Sequence, residues 1–457
     1  MALKSRFYRQ KGRVTMDENE LMGSMKVSKA VAKMAIPSVI SSLVTVVYNM
    51  ADTFFVGQTG DPLQVAAVSQ TNPIFILFMA FANMFGMGGS AAASMALGEK
   101  KEKRVKQVSS FITYASLIVG IVFAVILLVG MQPVLQLFGA DADTYELAKG
   151  YTTYISYGAP FIIWSAAASF VVRSDGASRE AMTGSMIGTV ANIILDPIFI
   201  SGFGMGAAGA AIATTIGNIM ASVYYLWYFC RKSRNMSMAF RYFKCGDRIL
   251  SQVCSAGLPT AIFSALMSIS TIILNQILVA YGNAPVAAIG IVFKANMFIT
   301  FLQMGLANGV QPLLGYSYGA GNRERFITVE RYTKKCCLIV GVLATALFFF
   351  FREPIIHLFI SDTEVINYGV EMLIAYMISG PVIGILFMNM NCMQSTGNAL
   401  PATILSILRQ GVLLIPVLYG LNALLGLHGV IYGQALTDYV AVLLSIVIWR
   451  WKRRKTL

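Results

Sequence analysis

The stretch Val65-Ala-Ala-Val-Ser69 returns as Val286-Ala-Ala-Ile-Gly290, 221 residues further along the chain. Moving outward at the same shift, Gly88 meets Gly309, and Gly98, just before a charged loop, meets Gly319 just before another. Gly139-Ala-Asp141 meets Ile360-Ser-Asp362, Gly158-Ala-Pro160 meets Ser379-Gly-Pro381, and Ser174-Asp-Gly176 meets Ser395-Thr-Gly397. Nearby registers align Pro37 with Pro259 and Gly209 with Gly429. Unrelated helices that shared Gly and Pro by chance would not keep one shift across a whole unit, so the chain carries an internal duplication.

The solvent of the repeated unit is a membrane. With 56% hydrophobic and 12% charged residues over 457 positions, the chain is too apolar for an ordinary soluble enzyme. A hydrocarbon core of about 30 Å needs about 20 apolar residues per helical span. Such runs are expected at 36–56, 64–93, 107–130, 147–172, 181–201, 206–229, 252–281, 286–315, 328–350, 366–391, 401–424 and 428–449. They are too long and continuous for barrel strands, which alternate over about ten residues. The expected class is therefore all-α polytopic, with twelve transmembrane helices in two six-helix lobes. Six spans is an even number, so both copies enter the membrane in the same direction and form a parallel repeat about an axis along the membrane normal.

By this division residues 1–33 form a cytoplasmic N-terminal arm, 34–230 the first lobe, 231–251 a cytoplasmic linker, 252–449 the second lobe and 450–457 a basic tail. The arm has eight Lys or Arg, no apolar core and no small-residue cleavage site, so it does not read as a signal peptide. Basic residues also gather at 100–106, at Arg173 and Arg179, and at 231–248, 323–335 and 450–455. Alternate crossing puts all these clusters on one side, and the opposite connections hold Lys149 and Arg352. The net charge of +14 is thus a topogenic signal that places both termini in the cytoplasm of a cell that carries the protein in its plasma membrane. No basic stretch interleaved with aromatics sits on a soluble module, which argues against nucleic acid. The six cysteines show no metal-ligand spacing.

Charges inside hydrocarbon are costly and mark function by default. The acids at such depth are Asp52, Asp196, Glu371 and Asp438, and the cations are Lys294 and Arg409. In Asn192-Ile-Ile-Leu-Asp196-Pro197 the amide and the carboxylate are four apart and share a helix face. Pro197 kinks the helix and frees the carbonyl of Ile193. A carboxylate, an amide oxygen and a released carbonyl suit a hard cation such as Na+, whereas a proton needs only the carboxylate. Counted from Gly57, Gly202 and Gly206, residues Asp52, Asp196 and Thr214 lie at one depth, roughly 7–12 Å from the outer surface at 1.5 Å per residue. Desolvation penalises a bare charge there, so the site takes up a cation from one side and releases it on exposure to the other. Asp438 is expected to pair with Arg409 or Lys294, and Glu371 to be interfacial. The 25 Met and 28 Phe, clustered in the second, eighth and tenth spans, suit a cavity for varied amphiphiles as well as they suit lipid contact and packing.

The segments ADTFFVG at 51–57, GMGGSAA at 86–92, RSDGASR at 173–179, NIILDPIFI at 192–200, GAAGAAIAT at 206–214 and ILRQGVLLIPVLYGL at 407–421 together resemble the multidrug and toxin extrusion (MATE) family, in particular bacterial multidrug exporters of Gram-positive type. The resemblance covers nearly the whole chain. It implies two lobes in a V that export small cationic amphiphilic drugs in exchange for Na+ or H+, with no organic cofactor. It also implies a cation site at Asp52, Asn192, Asp196 and Thr214. Some members carry acids in the seventh and tenth spans, and the stretches 258–281 and 377–392 here hold none. Coupling is therefore expected in the first lobe, by a chain acting as a monomer in contact with membrane lipid. The competing reading is a flippase for a lipid-linked oligosaccharide, to which Lys294 and Arg409 would offer phosphate contacts. An intramembrane enzyme is disfavoured, because the two histidines, His357 and His428, are isolated and no catalytic constellation is in reach.

Overall fold

The computed structural model describes residues 20–360 and 362–457, so the arm up to residue 19 lies outside the described residues. Among these residues the chain is helical nearly throughout and contains no strand. The spans of the first copy are α1 (Val27–Gly57), α2 (Pro62–Gly98), α3 (Glu102–Val129), α4 (Tyr145–Ser174), α5 (Ser178–Gly202) and α6 (Gly206–Lys232). Those of the second are α7 (Ile249–Val279), α8 (Asn283–Gly319), α9 (Arg323–Phe350), α10 (Thr363–Ile378 and Gly380–Ser395, bent by 45°), α11 (Ala399–Leu425) and α12 (Leu427–Thr456). Helices prevail because hydrocarbon offers no partner to an unpaired backbone group. The duplication extends to the connections. Short helices Met131–Leu137 and Arg352–His357 follow α3 and α9 at the same shift. Gly176 and Gly397 both take positive φ, of 87° and 75°, where a side chain would be strained.

Two features depart from the reading of the spans. The tenth was expected as one continuous run, but it breaks at Ser379, where Pro381 enters the first turn of the next segment and cannot donate to the turn before it. Its counterpart Pro160 is carried inside an unbroken α4. The first span starts at Val27, within the stretch expected as a solvated arm, and Leu21 and Met22 ahead of it are helical and buried. Arg325 of α9 fixes that segment by donating to the carbonyls of Leu21, Met22 and Met25 at 3.1, 2.9 and 2.8 Å.

The end of the bundle that carries the basic clusters, here the basic end, is where the lobes meet. Each lobe's first helix plants its foot in the other lobe. Ala30, Val31, Met34 and Ala35 of α1 belong to a core cluster with Val310 and Leu314 of α8, while Ile249 and Val253 of α7 belong to one with Phe85 and Ala92 of α2. The closest approaches are between backbones. Gly98 lies on the Tyr316 carbonyl and Gly319 on the Met95 carbonyl, two contacts that the 221-residue shift exchanges. Gly88 and Gly257 bring α2 onto α7, and Gly305 and Gly309 bring α8 onto α1. All these glycines lie in the halves of their helices nearest the basic end.

The linker is likewise packed rather than free. Ser109 and Ser110 of α3 donate to the carbonyls of Ser237 and Ala239, and Tyr114 donates to that of Met238. Asp175, in the α4–α5 turn, accepts from Tyr228, Ser233 and Asn235 at 2.9, 2.7 and 2.9 Å. Burial pushes its carboxyl above the usual range, and the bonds from Ser233, Asn235 and Tyr228 hold it back. Asp175→Ala strands these buried donors and is expected to cost roughly 2–4 kcal/mol, read as a lower midpoint of thermal unfolding in detergent. Gly98→Leu places a side chain where only backbone fits. Spin labels at exposed Lys101 and Arg323 should then report a longer distance across the basic end; an unchanged distance would contradict the account of the contact.

Candidate functional site

Asn192 and Asp196 occupy successive turns of α5, and both are buried, Asp196 completely (0% exposed). Gly188 of α5 and Gly217 of α6 let the two helices cross with each glycine against the other's carbonyl, and Gly217 also lies against the Asn192 Cβ. That close crossing brings Thr214 of α6 into the same pocket. The Asn192 amide is best satisfied with its nitrogen donating to Asp196 Oδ2 at 3.1 Å and its oxygen accepting from Thr214 Oγ1 at 3.2 Å and the Thr214 backbone N–H at 3.0 Å. Thr214 Oγ1 is in turn 3.2 Å from the Tyr48 hydroxyl on α1. One turn beyond Tyr48, Asp52 keeps a buried Oδ1 that no hydrogen bond satisfies.

The spans thus bring Asn192, Asp196 and Thr214 into direct contact. Asp52 is not in that contact; it stands one turn from Tyr48, whose hydroxyl reaches Thr214. Among the described residues neither carboxylate has a Lys or Arg partner in an ion pair. Tyr48 of α1 completes the pocket through Thr214, and it did not stand out in the sequence because a tyrosine in a membrane span is ordinary. Pro197 closes the regular part of α5, and a π-helical turn, Ile198–Gly202, follows it. Proline cannot supply the bond that Ile193 would accept, and a wider turn of this kind recurs at functional sites. The donor set of carboxylates, amide and hydroxyls fits a small cation or a proton.

In the second lobe the same chemistry is missing. The 221-residue shift places Ile273, Leu413 and Val417 opposite Asp52, Asn192 and Asp196, and the register of Gly209 and Gly429 places Gln434 opposite Thr214. Its buried charges neutralise each other instead. Arg409 Nε donates to Asp438 Oδ1 at 2.8 Å, Gln434 donates to the same oxygen at 3.0 Å, and the guanidinium lies 5.2 and 5.7 Å from the Phe263 and Phe387 rings. Lys294 takes no part in that pair. Glu371 meets His428 Nδ1 at 2.6 Å in a partly exposed contact. A further buried acid, Glu330 of α9, accepts from Trp449 at 2.7 Å and pairs with Lys334 at 2.6 Å. In the sequence it is hidden among the basic residues that open the ninth span.

With this geometry in place, comparison with known proteins is decisive. The MatE family model matches residues 37–198 and again 259–419, two matches that start at the paired prolines of the duplication. The chain belongs to the MatE family. Among curated MatE relatives, the multidrug export protein MepA of Staphylococcus saprophyticus is 32% identical over 422 residues, covering 92% of this chain and 93% of that one. MepA of Staphylococcus aureus is 32% identical with the same coverage. Among solved structures, a MATE protein in the straight conformation has a TM-score of 0.91 at 25% identity, covering 96% of this chain and 98% of that one. An outward-facing multidrug resistance MATE transporter of the MOP superfamily has a TM-score of 0.88 at 25% identity, with the same coverage. The chain is a multi-pass membrane transporter of the multidrug efflux class.

The Arg409–Asp438 pair gives this MatE chain a test of structural against chemical roles. Asp438→Ala leaves a buried guanidinium without its partner and is expected to cost about 3–5 kcal/mol. Arg409→Met combined with Asp438→Leu should recover most of that loss in detergent unfolding. If the double variant is as unstable as the single one, the pair is not what holds these helices.

Proposed function

We propose that this chain is a secondary active exporter that exchanges cationic amphiphilic compounds for Na+ or H+ by alternating access, with Asp52, Asn192, Asp196 and Thr214 forming the cation site. The observation that carries the reading is Asp196, fully buried, joined to Asn192 and without a countercharge among the described residues. Such a carboxylate is stable only with a bound cation or proton, so its occupancy is coupled to whether the pocket is dry. Occupied and empty forms then favour different arrangements of the lobes, and a substrate between the lobes biases the same equilibrium. Asp52 supplies a second acid at the pocket's edge, and Tyr48 connects α1 to it through Thr214. The multidrug export proteins named above support the substrate class.

Orientation follows from charge. The basic clusters put the basic end and both termini in the cytoplasm of a plasma-membrane protein. The glycine contacts then close the cytoplasmic side, and the space between the lobes faces outward. Rocking would part these contacts and gather the opposite halves of the helices, one lobe moving against the other in a monomer.

The test is efflux of a lipophilic cation from proteoliposomes under separately imposed Na+ and H+ gradients. Wild type should respond to one gradient, and Asp196→Asn should lower the driven rate by at least about tenfold, as expected for the loss of a charged group central to the step. Full gradient-driven transport by Asp196→Asn would remove the mechanism.

A further inference from the structure

Arg104 of α3 and Arg325 of α9 stand 221 residues apart, so they are the same position in the two copies. Both act in the same way at the basic end. Arg325 donates to the Met25 carbonyl ahead of α1, and Arg104 donates to the Asp247 carbonyl ahead of α7, each at 2.8 Å. The register of Pro37 and Pro259 makes Met25 and Asp247 counterparts too. Beyond that first bond the copies part. Arg325 also holds the carbonyls of Leu21 and Met22, whose side chains bury in the cluster that contains Leu313 and has Tyr316 packed against it. In the other copy the counterparts of Leu21 and Met22 are Phe243 and Lys244. Phe243 stacks on Phe111 of α3, and Lys244 turns to Asp247 in an exposed ion pair at 3.2 Å. Asp247 and Arg248 take positive φ, of 55° and 61°, as the chain turns into α7.

The place that Leu21 and Met22 fill in one copy is left open in the other. It is a cavity of about 340 Å³ among α2, α3 and α7. Its apolar wall is Ala92, Met95 and Ala96, of which Ala92 and Met95 are the counterparts of Leu313 and Tyr316. Arg104 lines it and gives one further N–H to Gln252 Oε1, at 3.1 Å. A guanidinium has five N–H groups, and the others of Arg104 have no partner among the described residues. At the rim Lys101 lies 2.8 Å from Glu99 and is exposed, so the lining carries two cations against one acid.

We infer that this cavity binds a phosphate group, carried by an anionic phospholipid of the adjoining leaflet or free in the aqueous phase. A phosphate oxygen supplies Arg104 with what the second and third carbonyls supply to Arg325, and a planar guanidinium holds phosphate by paired bonds. Basic pockets between spans are where lipid phosphates settle. In a lipid the carbons that follow the phosphate lie against Ala92, Met95 and Ala96. Since α7 belongs to the second lobe and α2 and α3 to the first, an occupied cavity fastens the lobes together at the basic end.

The test is thermal unfolding of the purified full-length protein in detergent, titrated with inorganic phosphate and, separately, with dihexanoyl-phosphatidylglycerol. A ligand of the folded form raises the midpoint once its concentration passes Kd, so the onset of the rise reports the affinity. Arg104→Gln should move that onset to about tenfold higher concentration, as expected for the loss of one charge-assisted bond. Because Arg104→Gln also releases Asp247, each variant is compared with its own ligand-free midpoint. Ala92→Leu, which gives the first copy the residue of the second, fills the cavity with Arg104 intact and should abolish the rise. An onset with phosphatidylglycerol at lower concentration than with phosphate assigns the group to the lipid, and the reverse order assigns it to the free anion. No rise with either probe overturns the inference. So does a rise that Ala92→Leu and Arg104→Gln leave unchanged, which is the general effect of an excluded salt or of bulk lipid.

Discussion

Backbone lies directly on backbone where the lobes meet, and that contact sets the terms for the rest of the molecule. Gly98 on Tyr316, Gly319 on Met95, Gly88 on α7 and Gly309 on α1 leave no room for a Cβ. A contact without side chains is close and flat, and it can be released without unpicking interlocked rotamers. Overpacking costs about 1–3 kcal/mol per site, enough to shift an equilibrium between two lobe arrangements that differ by only a few kcal/mol. The glycines hold one end shut, and the buried acids of the first lobe lie in the opposite halves of their helices.

The two lobes share a fold but not a charge economy. In the first, two carboxylates have no cationic partner among the described residues and sit by an amide, a hydroxyl and a tyrosine. In the second, Asp438 is matched to Arg409 and Glu330 to Lys334. A matched pair is indifferent to small cations in solution, whereas an unmatched acid in a dry pocket answers to them. The duplicated scaffold thus carries one lobe with matched acids and one without, and the proposed coupling uses that difference.

Much of this was legible in the residues. The 221-residue shift survives because Gly and Pro at crossings and turns cannot be exchanged freely, so VAAVS, Gly88 and Gly98 reappear where the same backbone geometry recurs. Asn192, Asp196 and Pro197 announced themselves because polar groups one turn apart are conspicuous in an apolar span. Tyr48 did not, since tyrosine is at home in membrane helices and only the approach of α1 to α6 brings its hydroxyl to Thr214. The foot of α1 was misjudged for a related reason. Lys26, Lys29 and Lys33 look solvated, yet they alternate with Ala30, Val31 and Met34, which pack into the other lobe. The bend at Ser379 was also out of reach, because the matching proline in α4 sits in an unbroken helix and the sequence does not tell the two apart.

The exchange of feet between α1 and α7 has a further meaning. Each half of the chain lends its first helix to the other, and the contacts Gly98–Tyr316 and Gly319–Met95 convert into one another when the halves are interchanged. That is the pattern of an isologous interface with a swapped element, in which one surface patch meets its own copy about a two-fold axis. A single six-helix copy bearing this patch would be complementary to itself, with both partners inserted in the same direction. The present chain is then a dimer written as one polypeptide, in which the two copies of a position need not match, as Asp196 in one half and Val417 in the other show.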